Sequence, residues 1–70
     1  MVYCPFCAHQ GVIYKAIINK SGKVIFMCDE CFTVWYTDEI KEENCINYRK
    51  FRSDNGIVNI KEDITREGRI

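Results

Sequence analysis

Residues 4–31 read CPFCAHQGVIYKAIINKSGKVIFMCDEC and contain two pairs of cysteines, Cys4 with Cys7 and Cys28 with Cys31. The spacing is C-x2-C-x20-C-x2-C. Two thiolates three positions apart in a tight turn point at a common centre, and two such turns supply the four sulfurs of a tetrahedral zinc site. The sequence therefore predicts that these four cysteines bind one Zn²⁺ ion.

A site of four cysteines is closed, so it leaves no position for an activated water, and the zinc is expected to be structural. The alternatives are two disulfides, a redox pair of thiols, or a rubredoxin-type iron site, which uses the same four sulfurs. His9 is a further candidate ligand that four cysteines make unnecessary, and Cys45 is expected to be a small buried apolar residue. Ala8 and Phe32 stand where a glycine often follows the second cysteine of such a turn.

The length of the chain limits it to one small domain that depends on the metal for stability. The chain has 70 residues, ten Lys plus Arg and ten Asp plus Glu, which leaves room for one domain with a small core. The free energy of zinc binding, about 10–16 kcal/mol in small metal-dependent folds, exceeds what such a core supplies.

Zero net charge argues against non-specific binding to nucleic acid. No apolar run spans a membrane and no export signal is present, so a cytoplasmic location is expected.

The residues between and after the cysteine pairs predict a small α+β fold. Residues 12–19, 23–28 and 32–37 are rich in β-branched and aromatic residues, with a turn at Lys20-Ser21-Gly22. We expect a single domain, 1–70. Residues 1–37 form a three-stranded antiparallel sheet pinned by zinc, an arrangement called a zinc ribbon, and 38–70 form a helical or irregular extension. Residues after 65 show no readable pattern.

Residues 45–60 have two interpretations. Asn55-Gly56 between apolar runs is typical of a hairpin turn. In the second interpretation Asn47 caps a helix, Gly56 ends it in the left-handed conformation, and Ile57 packs back on Phe51. We favour the helix because basic residues near its C-terminal half complement the helix dipole.

Two features predict a surface for a protein partner. Strand alternation leaves apolar residues on both faces of the sheet, so some of Ile13, Ile17, Ile25, Met27 and Trp35 are expected to be exposed. Trp35 is either part of a contact surface or a core residue beside the zinc. Residues 29–43 contain six acidic residues and one lysine, which gives a net charge of −5. This segment either attracts a basic partner or is a solvated loop without such a role. These acidic residues are Asp29, Glu30, Asp38, Glu39, Glu42 and Glu43.

The sequence has no catalytic constellation, so an enzyme is not expected. The run 28–35, preceded by Cys4-Pro5-Phe6-Cys7 and a lysine-bearing hairpin, resembles a group of small stand-alone bacterial zinc-ribbon proteins, closely over about half the chain. Some of these resemble immunity proteins encoded beside polymorphic or contact-dependent toxins. The resemblance implies a zinc-stabilised scaffold that neutralises a cognate toxin by direct contact. The alternative is a transcription- or RNA-associated ribbon that uses Lys15, Lys20, Lys23, Arg49, Lys50 and Arg52.

Overall fold

The computed structural model describes residues 2–7 and 10–70 and has an α+β architecture with one four-stranded antiparallel sheet. The strands lie in the order β3-β2-β1-β4. A single turn of 3₁₀ helix, Glu42–Asn44, and two α-helices separate β3 from β4. The elements in chain order are β1 (Ile13–Ile18), β2 (Lys23–Cys28), β3 (Val34–Trp35), α1 (Tyr48–Asn55), α2 (Ile60–Asp63) and β4 (Ile64–Arg69).

The predicted hairpin between the cysteine pairs is confirmed. β1 pairs with β2 from Ile13 opposite Cys28 to Ile18 opposite Lys23. Gly22 has a φ of 72°, which glycine adopts without the steric cost that a side chain brings. The register places the start of β1 directly beside the second cysteine pair.

The third strand is shorter than predicted. Residues 32–37 were expected to be extended, but only Val34–Trp35 pair with β2. Phe32 has a φ of 60°, in the left-handed region, so it belongs to the turn that follows Cys31 and not to a strand. The structure therefore places a left-handed residue where a glycine often stands in such turns.

The helical interpretation of residues 45–60 is confirmed. The Asn47 side chain accepts a hydrogen bond from the Arg49 N–H at 2.8 Å and caps α1. Gly56 has a φ of 63° and ends the helix, and the Ile57 N–H then donates to the Arg52 carbonyl at 2.9 Å. Ile57 and Phe51 are buried in the same cluster, as expected.

A fourth strand was not predicted. β4 follows the short helix α2 and pairs with β1, from Ile18 opposite Ile64 to Tyr14 opposite Arg69, with an irregularity at Lys15 and Ala16. Every residue of β4 except Ile64 is exposed. The predicted three-stranded sheet is therefore corrected to four strands, with a polar strand at one edge.

Both faces of the sheet are covered near the cysteines. The first face packs against α1. Its buried side chains come both from the predicted ribbon, 1–37, and from the extension, 38–70, so the two parts share one core. These side chains are Tyr14, Ala16, Ile18, Ile25, Met27, Val34, Phe51, Ile57 and Ile64. The second face buries Ile13 and Trp35 beside Cys4 and Cys28. Of the five apolar residues expected to include exposed ones, four are fully buried and only Ile17 is partly exposed.

None of the helices in the described ranges is long and apolar enough to cross a bilayer.

Candidate metal centre

The four predicted ligands meet at one point. The Sγ atoms of Cys4, Cys7, Cys28 and Cys31 all lie within 4.8 Å of one another, and two of the pairs, Cys4 with Cys31 and Cys7 with Cys28, are 3.6 Å apart. Zn–S bonds of about 2.3 Å in a tetrahedron require sulfur separations of about 3.8 Å. The donor set and its dimensions therefore fit one tetrahedral metal ion.

The thiols are not paired in disulfides. All five cysteines, each within the described part of the chain, are free, and the fifth, Cys45, lies outside the tetrad. Cys45 is half-buried and packs against the cluster that contains Cys4 and Cys28. Its predicted role as a small apolar residue agrees with this position, whereas His9 lies outside the described residues.

Each cysteine pair is shaped by hydrogen bonds from the main chain to sulfur. In the second pair the N–H groups of Glu30 and Cys31 donate to Cys28 Sγ at 3.3 and 3.5 Å. In the first pair, against the larger effect of burial, the Phe6 N–H acts to lower the pKa of Cys4. Such interactions orient a thiolate ligand and stabilise its negative charge. In each pair the main-chain N–H two residues after the leading cysteine interacts with its sulfur.

Without a metal, the thiols have different proton affinities. Burial is the main cause that raises the pKa of Cys4 to about 11. The neighbouring Cys31 thiol and then burial raise the pKa of Cys7. Burial also acts to raise the pKa of Cys31, but hydrogen bonds from Thr33, whose Oγ1 lies 3.0 Å from Cys31 Sγ, lower it to about 7. A metal ion must therefore displace protons from Cys4 and Cys7 at neutral pH.

Gly11 is a constituent of the site that sequence reasoning did not single out as such. A Cβ atom at this position would lie closer than 3.0 Å to Cys28 Sγ and 3.3 Å from Cys7 Sγ. Gly11 is not among the residues with positive φ, so space beside the sulfurs, and not backbone conformation, requires glycine here. In the sequence, the position of this glycine four residues after Cys7 was the feature that indicated a place beside the metal ligands.

Trp35 lies in the core beneath the metal centre and does not form a contact surface. Its side chain is 0% exposed, and its ring stacks on Phe6 at a centroid distance of 6.4 Å. The indole N–H donates to the Lys41 carbonyl at 2.8 Å. The structure thus agrees with the interpretation of Trp35 as a core residue beside the metal centre and not with its assignment as a partner-binding residue, because the side chain is buried and the segment that follows β3 accepts its indole N–H.

That segment, residues 36–45, is named the acidic loop. Its two ends are joined by hydrogen bonds between Val34 and Ile46, at 3.1 and 2.7 Å, and its middle is held by the bond to Trp35. Ile40 packs into the cluster beside the metal centre. The loop is therefore anchored at both ends and in the middle, and it exposes Asp38, Glu39, Glu42 and Glu43.

The two acidic residues within the second cysteine pair occupy different environments. Asp29 is partly buried, and its Oδ1 accepts a hydrogen bond from the Val12 N–H at 3.0 Å. The Asp29 N–H donates to the Val12 carbonyl at 3.2 Å, so this residue clamps the cysteine pair to the start of β1. Glu30 is exposed. The structure thus brings four of the six predicted acidic residues together on one loop.

No family model, curated protein or solved structure matches this chain.

Proposed function

We propose that this chain is a non-enzymatic protein-binding module of the zinc-ribbon type, in which one structural zinc ion holds a scaffold that presents the acidic loop to a basic partner. The observation that carries the proposal is the anchoring of the acidic loop to Trp35, a buried residue in the same core cluster as the ligands Cys4 and Cys28. Metal binding and the position of the carboxylates are thereby coupled.

The choice of a structural zinc follows from the donor set. Four thiolates satisfy a tetrahedral ion completely, so no position is left for water or substrate. The same donors suit iron, and the zinc assignment rests on the prevalence of zinc in closed four-cysteine sites. Cys4, Cys7, Cys28 and Cys31 would hold the ion, whose contribution is to fix the two turns against the sheet.

The acidic loop suits recognition because its backbone is already ordered. Binding by a flexible loop costs the entropy of ordering it, whereas a loop held at its ends and middle avoids most of that cost. The loop contains four acidic residues and one lysine, a net charge of −3. Charge concentrated in this way raises the association rate with a basic surface.

Apolar side chains lie on the same side of the sheet as the loop. Phe6, which stacks on Trp35, is 49% exposed, and Val24 is also exposed while Phe26 is partly so. Phe26 pairs with Trp35 across β2 and β3, so both lie on the second face of the sheet. Interfaces commonly combine an aromatic centre with a charged rim, and this surface offers both.

A toxin domain is the partner class that we propose, on the strength of the resemblance to immunity proteins. A nuclease toxin binds phosphates in a basic channel, and ordered carboxylates can occupy such a channel in their place. Asp38, Glu39, Glu42 and Glu43 are the residues proposed to do so, together with Glu30, which is also exposed.

The nucleic-acid alternative draws less support, because several of its basic residues are engaged within the chain. Lys20 Nζ donates to the Gly56 carbonyl at 3.1 Å, and Lys23 Nζ lies 4.3 Å from the centroid of the Tyr36 ring. Arg52 donates to the carbonyls of Ile57 and Val58. These side chains would have to leave their contacts to reach phosphates.

The test is co-purification of the zinc-loaded chain with the product of the adjacent upstream gene. We expect a stable complex whose association rate falls at least about tenfold for the double variant Asp38→Lys, Glu42→Lys. The matched control is Glu62→Lys, Glu67→Lys, which changes the charge equally at exposed acidic residues outside the loop and should leave the rate within about threefold.

Two outcomes would count against the proposal. Equal effects of the two double variants would show that overall charge, and not the acidic loop, governs binding. Failure to form a complex with either flanking gene product, combined with a salt-dependent mobility shift with RNA or DNA, would favour the nucleic-acid alternative.

A further inference from the structure

A groove of about 450 Å³ lies on the first face of the sheet, and none of its lining residues belongs to the acidic loop. It is bordered by α2, β4 and the turn after Cys31. This volume falls within the range of about 300–1,000 Å³ that small-molecule sites occupy. Its lining residues are Tyr14, Phe32, Ile60, Lys61, Ile64 and Arg66.

The floor and walls of the groove are apolar. Tyr14 and Ile64 are buried, and the Tyr14 hydroxyl donates to Met27 Sδ at 2.9 Å, so the ring and not the hydroxyl faces a ligand. Phe32 is 39% exposed and is held by its left-handed backbone and by a ring contact with Tyr48 at 5.4 Å. These side chains offer a preformed surface for an apolar body.

Both charged residues of the groove are cationic. The Arg66 guanidinium carbon lies 4.3 Å from the centroid of the Tyr14 ring, and Lys61 is exposed on α2. In the described part of the chain, neither Arg66 nor Lys61 forms an ion pair with a carboxylate. The ion pair found there joins Lys50 to Asp54. The Arg66 guanidinium also interacts with the Tyr14 hydroxyl, but it has several N–H donors, so others can bind a carboxylate in a bidentate manner.

Two acidic residues on the elements around the groove accept hydrogen bonds from the main chain. Asp63 on α2 accepts hydrogen bonds from the Val58 and Asn59 N–H groups at 2.9 and 3.1 Å. Asp29 lines a neighbouring cavity that shares Tyr14 and Arg66, and its Oδ1 accepts from Val12. The groove therefore combines apolar walls with two cations that lack a partner charge.

We propose that this groove binds a small organic anion with a planar or branched apolar body and one carboxylate. The body lies against Phe32, Ile60 and Ile64, and the carboxylate accepts hydrogen bonds from Arg66 with Lys61 as a second cation. This site is separate from the acidic loop, so it stands or falls independently of the protein-binding proposal.

The probe is 2-naphthoate, titrated into the ¹⁵N-labelled, zinc-loaded full chain and followed by amide chemical shifts. We expect shifts confined to residues 14, 32 and 60–66, with a Kd of about 1 mM or tighter for a ligand of this size. The uncharged 2-naphthamide should bind at least about tenfold more weakly, because it cannot form the charge-assisted pair. Native mass spectrometry of the same samples checks that zinc is retained.

Substitution of single basic residues tests which cation binds the carboxylate of the ligand. Arg66→Gln should weaken naphthoate binding at least about tenfold, Lys61→Gln less, and Arg49→Gln, on the exposed surface of α1, not at all. If Arg66→Gln loses its fold because Arg66 covers Tyr14, the comparison of acid and amide on the unaltered chain still decides. Equal binding of acid and amide, shifts scattered outside the groove, or no shift at 5 mM would each overturn the proposal.

Discussion

Replacing Gly11 by alanine tests whether the four sulfurs enclose a metal ion in the manner described. The added Cβ would approach Cys28 Sγ closer than 3.0 Å and would also crowd Cys7 Sγ and Glu30 Cβ, at 3.3 and 3.2 Å. The sulfur of Cys28 must therefore move by a distance comparable to half of a Zn–S bond of about 2.3 Å. The perturbation acts on the metal centre without removing any ligand.

The expected magnitude follows from the energy of the site. A structural zinc contributes about 10–16 kcal/mol, or about 2.5–4 kcal/mol for each of four equal ligands, and a sulfur displaced this far loses most of its share. Since every 1.4 kcal/mol is a factor of ten, zinc affinity should fall about 10²–10³-fold. Competition with a chromophoric chelator measures this affinity, and the single tryptophan, Trp35, reports it by fluorescence from beside the site.

Gly22→Ala is the matched control. Gly22 has a φ of 72° and open space around the position that a Cβ would take, so the substitution adds backbone strain of about 1 kcal/mol without touching the sulfurs. Its zinc affinity should fall less than about tenfold, even if folding and metal binding are fully coupled. A Gly11→Ala variant whose affinity stays within about threefold of the original would refute the close approach of Gly11 to the metal ligands.

Three further predictions concern stability and pH. Phe32→Gly should be more stable than Phe32→Ala by about 1 kcal/mol in denaturant unfolding, because residue 32 has a φ of 60°, where glycine lacks the steric cost of a Cβ. Equal stability of the two variants would contradict the left-handed conformation of residue 32. Asn47→Ala should destabilise the zinc-loaded protein by about 1 kcal/mol through loss of the cap on α1, and an unchanged midpoint would show that the cap is dispensable. Because the pKa of Cys4 is raised to about 11 and that of Cys7 is also raised, both thiols are protonated at neutral pH without metal. Zinc binding then releases at least two protons, so the apparent affinity should fall at least about 100-fold per unit as pH drops from 8 to 6, and a slope below tenfold would contradict this.

The ligands and the central hairpin were predictable because their signals are local. The spacing of Cys4, Cys7, Cys28 and Cys31 needs no tertiary information, and β1 and β2 have turn residues at Ser21-Gly22 between two apolar runs. The limits of α1 were predictable for the same reason. Asn47 and Gly56 have the side chain and the backbone freedom that helix ends require.

β4 was not predictable from its own residues. Residues 65–69 read TREGR, and all five residues are exposed, so no apolar alternation marks the strand. The strand exists because its backbone completes the hydrogen bonds of β1, a partner some fifty positions away along the chain. Tertiary pairing, and not propensity, determines the conformation of this segment.

The sequence left two interpretations of Trp35, a contact residue or a core residue, because one short helix can hardly cover both faces of the sheet. The second face is instead covered by Phe6 and by the acidic loop, whose Ile40 packs against the metal-side cluster. Ile40 was the available signal, since it is an apolar residue among acidic ones. A loop that looks solvated in sequence can thus contribute to a core through one apolar residue and one main-chain carbonyl.

The two ends of the described chain lie side by side on β1. The Val2 N–H donates to the Ile70 carbonyl at 3.0 Å. The Ile13 N–H donates to the Val2 carbonyl at 2.8 Å, and the Ile13 carbonyl accepts from the Ile70 N–H at 3.3 Å. A short linker can therefore join them while new termini are cut at the exposed turn Ser21-Gly22, giving a circular permutant in which the order of the cysteine pairs is reversed. The segment between the pairs becomes roughly twice as long, which costs only about 0.6 kcal/mol in closure entropy. The four sulfurs can therefore meet at one point whichever cysteine pair comes first in the chain, at this small entropic cost.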